Sequence, residues 1–339
     1  MTTRIAINGL GRIGRDLMRA TTDRALNGEG GLEIVAVNDV TDAATLAHLL
    51  RHDSTYGPWH VPVYETRNGL SVNGESLLVT CERDPAALPW RDLGVDLVIE
   101  STGKFRTREQ AAAHLTAGAR KVVITAPGKH VDATFVMGVN EDTYDPDEHH
   151  IVSNASCTTN CLAPMLSVLH NTFGVRNGVM TTIHSYTSDQ NLLDGPHKDL
   201  RRARSAAVNI IPTSTGAALA VGEVLPELAG RLDGIAVRVP VEDGSLTDLS
   251  VQVSTPHLTA GQVNRAFADA AAGRLKSILR YTEDPIVSRD IIGDPASCVF
   301  DASLTKVEGD LVKVFGWYDN EWGYAHRTLD LVHLMARSM

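Results

Sequence analysis

A cysteine and a histidine occupy positions from which they could act together on a carbonyl carbon. Cys157 follows the small polar run 153–156 and precedes the apolar stretch 161–166, a pattern that predicts a helix beginning at Cys157. Because the N–H groups and dipole of a helix start stabilise an anion, we expect the pKa of this thiol to fall from about 8.5 toward about 6. His184 is the candidate base. The alternatives are a small buried hydrophobic residue at Cys157 and a structural histidine in a strand.

Three glycines of the form G-x-G-x-x-G indicate a dinucleotide site. Gly9, Gly11 and Gly14 lie between the β-branched run 4–8 and a helical pattern, a context in which glycines let the backbone approach pyrophosphate closely. Asp39 follows the next β-branched run, where its carboxylate can accept hydrogen bonds from an adenosine ribose and would repel the extra phosphate of NADP. The sequence therefore predicts NAD as the cofactor. The alternatives are a structural turn for the glycines and a helix or turn cap for Asp39.

With a nicotinamide as hydride acceptor, a thiol and a base can oxidise an aldehyde. Attack by Cys157 gives a thiohemiacetal, and His184 takes its hydroxyl proton. Loss of hydride then leaves a thioester that a second nucleophile must open. The backbone N–H of Cys157 can hold the developing oxyanion. Cys157 and His184 are therefore the predicted catalytic residues.

Arginines and hydroxyl residues downstream of His184 suggest that the substrate carries phosphate. Arg238 interrupts the apolar run 235–239, and because an unpaired buried charge is costly, we expect an anion to meet it. The other candidates are Thr187, Asp189, the arginines of 201–204 and the hydroxyl-rich run 213–216. The alternatives are a structural salt bridge at Arg238, a solvated or subunit-contact patch at 201–204 and a plain helix start at 215–216. Together these groups suit a phosphorylated aldehyde and inorganic phosphate.

The elements that must position these residues are of two kinds. In the first half of the chain, β-branched runs alternate with helical patterns, which predicts an α/β fold with a doubly wound, Rossmann-type parallel sheet. We expect its strands at 4–8, 33–38, 96–100, 121–125 and 151–153, and its helices near 11–22, 42–51 and 107–117. Residues 55–83 alternate around an Asn73-Gly74 turn, which predicts a small antiparallel insertion. After residue 156, longer alternating segments predict a second, α+β catalytic domain.

The chain of 339 residues is long enough for two domains. We predict an NAD-binding domain over 1–156 and a catalytic, substrate-binding domain over 157–319. Residues 320–339 are predicted to form a C-terminal helix that packs back on the NAD-binding domain.

Composition excludes several other classes of protein. The chain has 31 Lys and Arg against 41 Asp and Glu, so it lacks the basic excess typical of nucleic-acid or membrane-surface binding. Its apolar runs are shorter than the roughly 20 residues of a membrane helix, and its N-terminus shows no signal-peptide pattern. Its 4 cysteines are too few for a disulfide scaffold and form no paired metal motif. We expect a soluble, cytoplasmic protein with no metal and no nucleic-acid or membrane partner.

The chain closely resembles phosphorylating, NAD-dependent glyceraldehyde-3-phosphate dehydrogenase over essentially its whole length. The segments that look like family signatures are 7–15, 100–103, 153–161, 210–217 and 317–324, in the family's order. The resemblance implies the glycolytic conversion of glyceraldehyde 3-phosphate, NAD+ and inorganic phosphate into 1,3-bisphosphoglycerate. The rival with the same chemistry is erythrose-4-phosphate dehydrogenase, in which water opens the thioester. A rival of another class is a catalytically inactive NAD-binding scaffold or regulator.

The resemblance also assigns roles to residues. Cys157 is implied to be the nucleophile and His184 the group that activates it. Besides the glycines, NAD is implied to contact Arg12, Ile13, Asp39, Arg83, Thr125 and Asn320, the last setting the nicotinamide face. The substrate phosphate is implied to meet Thr187, Asp189 and Arg238, with Arg202 nearby. Inorganic phosphate is implied to meet Ser156, Thr158, Thr215 and Gly216.

The segment 182–204 resembles the family's S-shaped loop, which crosses a subunit contact, so a homotetramer is implied. Gly195-Pro196 within this loop resembles the NAD-specific form of the family. Thr125 replaces a common serine and keeps its hydroxyl. Residues 241–245, Val-Glu-Asp-Gly-Ser, replace the common Thr-Pro-Asn-Val-Ser and add two carboxylates near an expected subunit contact. This replacement bears on tetramer packing rather than on chemistry.

Overall fold

The computed structural model describes residues 2–339, which divide into two compact units. The first unit contains the chain up to Phe135 together with Glu141–Ala155 and Ala325–Met339. The second unit contains Val136–Asn140 and Ser156–Tyr324. The domain division at 1–156, 157–319 and 320–339 stays a prediction.

A largely parallel sheet forms the centre of the first unit. Its strands are β1 (Thr3–Asn8), β2 (Leu32–Asn38), β3 (Val63–Thr66), β4 (Gly69–Val72), β5 (Glu75–Thr80), β6 (Leu97–Glu100), β7 (Lys121–Ile124), β8 (Ala133–Thr134) and β9 (Ile151–Ser153). The connecting helices include α1 (Arg12–Leu26), α2 (Ala43–Arg51) and α3 (Arg108–Thr116). The strand order is β3-β4-β5-β2-β1-β6-β7-β9-β8, and every pairing from β5 to β8 is parallel. The predicted α/β class with a doubly wound sheet is confirmed.

The predicted antiparallel insertion is confirmed in β3, β4 and β5, which pair antiparallel with one another in order. Asn73 and Gly74 join β4 to β5, and both have positive φ angles, of 53° and 85°. A tight two-residue hairpin turn requires this backbone conformation, which Asn and Gly adopt at little cost. The Asn-Gly dipeptide therefore specifies the turn locally.

The second unit is built on a mixed sheet with helices against it. Its strands are β10 (Val175–Ser185), β11 (Ile211–Ser214), β12 (Leu232–Val239), β13 (Ser245–Val253), β14 (Leu279–Thr282), β15 (Cys298–Asp301), β16 (Lys306–Glu308) and β17 (Leu311–Tyr318). The helices are α4 (Cys157–Phe173), α5 (Ala217–Val224), α6 (Ala260–Ala272) and α7 (Trp322–Ala336), the last continuing into the first unit. The strand order is β11-β12-β10-β13-β17-β15-β14, with β16 beside β17. The predicted second α+β region is confirmed.

Helix α4 packs unusually close to the second sheet. A Cβ atom on Gly316 of β17 would lie 2.6 Å from the sulfur of Met165 and 3.1 Å from that of Cys161. This close approach favours glycine at position 316, and it places α4, whose first residue is Cys157, directly on β17.

The C-terminal helix α7 belongs mainly to the first unit. There Asp330 pairs with Arg24 of α1 at 2.7 Å, and the hydroxyl of Thr328 accepts a hydrogen bond from the amide of Asn154 at 2.9 Å. No helix between residues 2 and 339 combines the length and apolar character needed to cross a membrane.

Candidate active site

Cys157 and His184 lie at the ends of two packed elements of the second unit. Ser156 caps α4 by accepting the backbone N–H of Thr159 at 3.0 Å, which makes Cys157 the first residue of the helix. His184 is the next-to-last residue of β10 and is buried. The Sγ of Cys157, which is partly exposed, lies 3.5 Å from the Nε2 of His184. The two groups are therefore close enough to exchange a proton.

The helix start does not by itself make Cys157 a thiolate. Burial raises the pKa of the Cys157 thiol to about 11, although the charge of Arg238 and hydrogen bonds from Thr158 act in the opposite direction. The expectation that this pKa falls toward about 6 is therefore wrong. Burial raises the pKa of the thiol more than the N–H groups of the helix start lower it. Burial and the charge of Arg238 also lower the pKa of His184 to about 3.

A thiolate at Cys157 therefore requires its neighbour. Transfer of the proton from Sγ to Nε2 of His184 creates opposite charges 3.5 Å apart, so each charge stabilises the other and the pair titrates as a unit. Nδ1 of His184 faces both a donor, Nη1 of Arg238 at 3.0 Å, and an acceptor, the carbonyl oxygen of Ser185, and the transfer requires the tautomer that carries the ring proton on Nδ1. A proton on Nδ1 of His184 can be donated to the carbonyl oxygen of Ser185, 2.8 Å away, which leaves Nε2 as the acceptor.

Arg238 lies directly beside His184 because β10 and β12 pair in parallel with these two residues in register. Its Nη1 lies 3.0 Å from Nδ1 of His184 and donates to the carbonyl of Ser185 at 2.8 Å. The Nε of Arg238 is buried and has no hydrogen-bond partner among the residues that the structure describes. A buried guanidinium N–H without a partner is costly, so the geometry favours an anion at this position over the internal salt bridge.

Tyr318 is a member of this site that the sequence reasoning missed. Its hydroxyl lies 2.9 Å from the Oγ1 of Thr158 and 2.8 Å from that of Thr182, and its ring meets His184 edge-on at 5.9 Å between centroids. These contacts place the ring of Tyr318 against the imidazole of His184. Tyr318 stands in the signature run 317–324, but its spacing from His184 along the chain gives no indication of contact.

The remaining candidates for anion binding fall into two groups. Arg202 donates to the carboxylate of Asp189 at 2.5 Å and to the hydroxyl of Thr213 at 2.9 Å, so the three lie together. Thr187 follows β10 in the same unit. Thr215 and Gly216 form the start of α5, where the hydroxyl of Thr215 accepts the N–H of Ala217 at 3.2 Å. The hydroxyls of Ser156 and Thr158 are engaged by Thr159 and Tyr318.

A cavity of about 230 Å³ opens at the ends of the first unit's parallel strands. Its lining residues are Asn8, Gly9, Gly11, Asn38, Asp39, Val40, Glu82, Arg83, Ser101, Thr102, Lys104 and Phe105. Gly9 has a φ of +93°, and a Cβ there would lie 2.8 Å from the backbone N of Thr102. A Cβ on Gly14 would lie 2.1 Å from the carbonyl of Gly9. Both glycines are therefore required sterically, whereas Gly11 faces open space.

Asp39 has two roles at this cavity. Its Oδ2 accepts the backbone N–H of Leu10 at 2.7 Å, so it holds the glycine turn in place while it lines the cavity. The hydrogen bond to Leu10 confirms the turn-cap interpretation of Asp39, and its contact with a ribose stays a prediction. Because no side chain caps the start of α1 at Gly11, and the first turn has no acidic residue, the helix start can receive an anion. These residues fit a dinucleotide.

The other predicted cofactor contacts are spread over the two units. Arg12 forms an ion pair with Asp53, and Thr125 donates to the carbonyl of Glu100 at 3.2 Å. Arg12, Ile13, Gly14 and Thr125 do not line the cavity. Asn320 belongs to the second unit, where its Oδ1 accepts from the hydroxyls of Ser185 and Ser245 at 2.8 and 2.6 Å. These two bonds orient the amide group of Asn320.

Comparisons with known proteins cover most of the chain. Residues 3–108 match the family model described as glyceraldehyde 3-phosphate dehydrogenase, NAD binding domain, and residues 156–320 match the model of the C-terminal domain. The chain is 57% identical over 339 residues to glyceraldehyde-3-phosphate dehydrogenase 1 of Streptomyces avermitilis, with 100% of both chains covered. It is 57% identical over 333 residues to glyceraldehyde-3-phosphate dehydrogenase of Streptomyces coelicolor, with 98% of both covered. The same enzyme of Mycobacterium tuberculosis is 54% identical over 341 residues, with 100% of both covered.

Proposed function

Because the chain belongs to the glyceraldehyde-3-phosphate dehydrogenase family, we propose that it oxidises glyceraldehyde 3-phosphate to 1,3-bisphosphoglycerate with NAD+ and inorganic phosphate. The observation that carries the proposal is the 3.5 Å distance between Sγ of Cys157 and Nε2 of His184. A partly exposed thiol beside a buried base, with an arginine next to the base, suits covalent attack on the carbonyl of an anionic aldehyde.

Cys157 is the proposed nucleophile. As Sγ bonds to C1 of the aldehyde, the thiol proton passes to Nε2 of His184 and then to the new hydroxyl, giving a thiohemiacetal. The N–H of Cys157 at the start of α4 stabilises the developing oxyanion. His184 next removes the hydroxyl proton as C1 loses a hydride, and a thioester remains. NAD+, when bound, supplies the acceptor for that hydride, and the residues proposed to hold it are Gly9, Gly11, Arg12, Ile13, Gly14, Asp39, Arg83, Thr125 and Asn320.

Inorganic phosphate completes the cycle. Its oxygen attacks C1 of the thioester, the C–S bond breaks, and the sulfur of Cys157 leaves as a thiolate that recovers the proton held by His184. Arg238, Thr187, Asp189 and Arg202 are proposed to hold the phosphate of the substrate. Ser156, Thr158, Thr215 and Gly216 are proposed to hold the attacking phosphate. The buried Nε of Arg238 supports the first of these sites, and the start of α5 supports the second.

We also propose a homotetramer in the cytoplasm. The segment 186–210 carries large apolar side chains that are mostly exposed in the single chain. They are Leu192 at 78%, Leu193 at 74%, Leu200 at 81%, Val208 at 74% and Ile210 at 70%. A cluster of this kind is typical of a surface that another subunit covers.

The proposed reaction is tested by its dependence on phosphate. Purified protein supplied with NAD+ and glyceraldehyde 3-phosphate should produce NADH continuously at 340 nm when phosphate is present. Without phosphate it should give only a burst of about one NADH per site, because the thioester persists. A continuous rate that is equal with and without phosphate contradicts the proposal and favours hydrolysis of the thioester. Erythrose 4-phosphate under the same conditions tests the rival substrate, and turnover many times faster with it would decide against the triose.

A further inference from the structure

A buried carboxylate, which the proposed reaction does not use, lies directly beneath the cavity of the first unit. Glu100, at the end of β6, is 1% exposed, and His114 of α3 is 0% exposed. Neither residue lines the cavity. A buried carboxylate is unfavourable unless donors satisfy its oxygens, so the groups that face Glu100 indicate what it holds in place.

Four hydrogen bonds converge on Glu100. Its Oε1 accepts the backbone N–H of Thr102 at 2.9 Å and also the hydroxyl of Thr102. Its Oε2 accepts the side-chain amide of Asn8 at 2.5 Å and lies 3.1 Å from Nε2 of His114. Since all of these groups can donate, the carboxylate acts only as an acceptor.

Trp90 fixes the proton of His114. Its indole Nε1, which can only donate, lies 3.0 Å from Nδ1 of His114. Nδ1 is therefore an acceptor, and the single proton of the neutral ring is on Nε2, directed at Glu100. Trp90 therefore donates to His114, and His114 donates to Glu100, because the indole of Trp90 can only donate.

The network reaches the wall of the cavity through two asparagines. The Oδ1 of Asn8 accepts the amide of Asn38 at 2.7 Å. The Oδ1 of Asn38 in turn accepts the backbone N–H of Glu82 at 2.9 Å and the hydroxyl of Thr80 at 2.9 Å. One carboxylate therefore ties together the ends of β1, β2, β5 and β6.

Thr102 connects this network to the glycine turn. Gly9 packs so tightly on Thr102 that a Cβ would lie 2.8 Å from its backbone N, the same N–H that Glu100 accepts. A displacement of Thr102 would therefore move Gly9, and with it the backbone proposed to receive the pyrophosphate.

We propose that Glu100 and His114 are positioning residues for the cofactor, holding Thr102 and Asn8 beneath Gly9 without touching NAD. This inference rests on the proposed function, because it assumes that the cavity binds NAD. It predicts that the network sets cofactor affinity and leaves the chemistry at Cys157 unchanged.

Two matched pairs of variants test the proposal, with NAD binding measured by calorimetry. Glu100→Gln keeps the size of the side chain but directs an NH2 at one pair of donors, so the Kd for NAD should rise about tenfold or more. Glu109→Gln, at an exposed position in α3, is its control and should bind as wild type does. His114→Leu removes both hydrogen bonds and should weaken binding similarly. His114→Gln can accept from Trp90 and donate to Glu100, so it should restore affinity to within about threefold.

Kinetics separate positioning from general damage to the fold. In Glu100→Gln the KM for NAD should rise while kcat and the KM for the aldehyde stay within about twofold of wild type. The rate at which iodoacetamide alkylates Cys157 without NAD should be unchanged.

The outcomes are distinguishable from failure of the proposed function. If the wild-type protein does not bind NAD, both the proposed function and the positioning role of Glu100 and His114 are overturned. If the wild type binds NAD and the variants Glu100→Gln and His114→Leu bind it with the same Kd, only the positioning role is overturned. If Glu100→Gln does not fold, the two His114 variants decide: equal loss in both contradicts the proposal, and recovery in His114→Gln supports it.

Discussion

At the scale of single residues, the thiol of Cys157 and the imidazole of His184 face each other across 3.5 Å. The sequence predicted both residues, because a cysteine at a helix start and a histidine after a nucleotide-binding pattern are local signals. It did not predict that burial raises the pKa of the thiol more than the helix start lowers it. How deeply the thiol is buried depends on β10, β12 and β17, which lie far from Cys157 along the chain.

His184→Asn should expose the effect of burial on the thiol. With no base to take the proton, the pKa of Cys157 should move toward the value of about 11 that burial sets, so its thiolate fraction should still be rising at pH 9. Alkylation by iodoacetamide at pH 7, followed by peptide mass spectrometry, should be about 100-fold slower than in wild type or slower still. Cys161, which is fully buried, is the internal control and should stay unlabelled. Alkylation profiles that coincide in the two proteins would contradict the role assigned to His184.

Arg238→Gln tests the anion site. The variant loses the charge proposed to meet the substrate phosphate, so kcat/KM for glyceraldehyde 3-phosphate should fall by about 100-fold or more. Unphosphorylated glyceraldehyde has no phosphate group to contact Arg238, so with this substrate the loss of kcat/KM should be much smaller. The ratio of the kcat/KM values for the two aldehydes isolates the phosphate contact. Equal losses with both aldehydes would instead show that Arg238 acts only through His184.

At the scale of elements, several boundaries follow from local rules. The strand, glycine turn and helix of residues 4–22 and the Asn73-Gly74 hairpin could be predicted because glycine and asparagine supply the required backbone angles themselves. Contacts between elements could not be predicted. His184 meets Arg238 only because β10 pairs in parallel with β12, and Glu100 meets His114 only because α3 packs on the sheet that contains β6. Such registers depend on packing of the whole sheet.

The replaced turn at 241–245 has a consequence inside the second unit. Asp243 is 1% exposed and hydrogen-bonds to the carboxyl of Asp319, and burial raises the pKa of Asp319. A carboxyl with a raised folded-state pKa binds its proton more tightly when folded. Its contribution to stability is therefore present at low pH and is lost as pH rises above the ordinary value of about 3.9.

Asp243→Asn should reduce this pH dependence without abolishing it, because one carboxyl of the pair is lost while Asp319 stays buried. An asparagine amide can donate to Asp319 without a titrating proton, so the variant should be more stable than wild type at pH 8 by about 1 to 3 kcal/mol. The difference should disappear toward pH 4. Thermal unfolding at both pH values measures it, and Glu242→Gln, which alters only the partly exposed pair with Arg289, is the control. A variant that is less stable than wild type at pH 8 would contradict this account of the pair.

At the scale of the whole molecule, composition and length predicted the general class of protein, and the signature segments predicted the family. The surfaces between subunits of the proposed tetramer could not be predicted from the pattern of residue types. An apolar residue that lies on such a surface cannot be distinguished, by its type alone, from one that lies in the core. Leu192, Leu193 and Leu200 are of a residue type that is common in cores, but they lie on the surface of the single chain.

Leu200→Asp should weaken the proposed tetramer. A carboxylate buried in an apolar interface lacks a partner and destabilises the assembly. Light scattering coupled to size-exclusion chromatography should show four copies of the 36.5 kDa chain for wild type and smaller species for the variant at low micromolar concentration. Tyr64→Ser, an exposed position in the antiparallel insertion, should leave the mass unchanged. A wild-type protein that elutes as a single chain would contradict the assembly.

The thioester at Cys157 is the centre of the account, and trapping it is the most direct test. Wild-type protein mixed with NAD+ and glyceraldehyde 3-phosphate in phosphate-free buffer, then acid-quenched, should carry one acyl group per chain, mapped by peptide mass spectrometry to Cys157. Added phosphate should release that group as an acyl phosphate. An acyl group on any other residue, or NADH formation with no acylated protein at all, would contradict the mechanism.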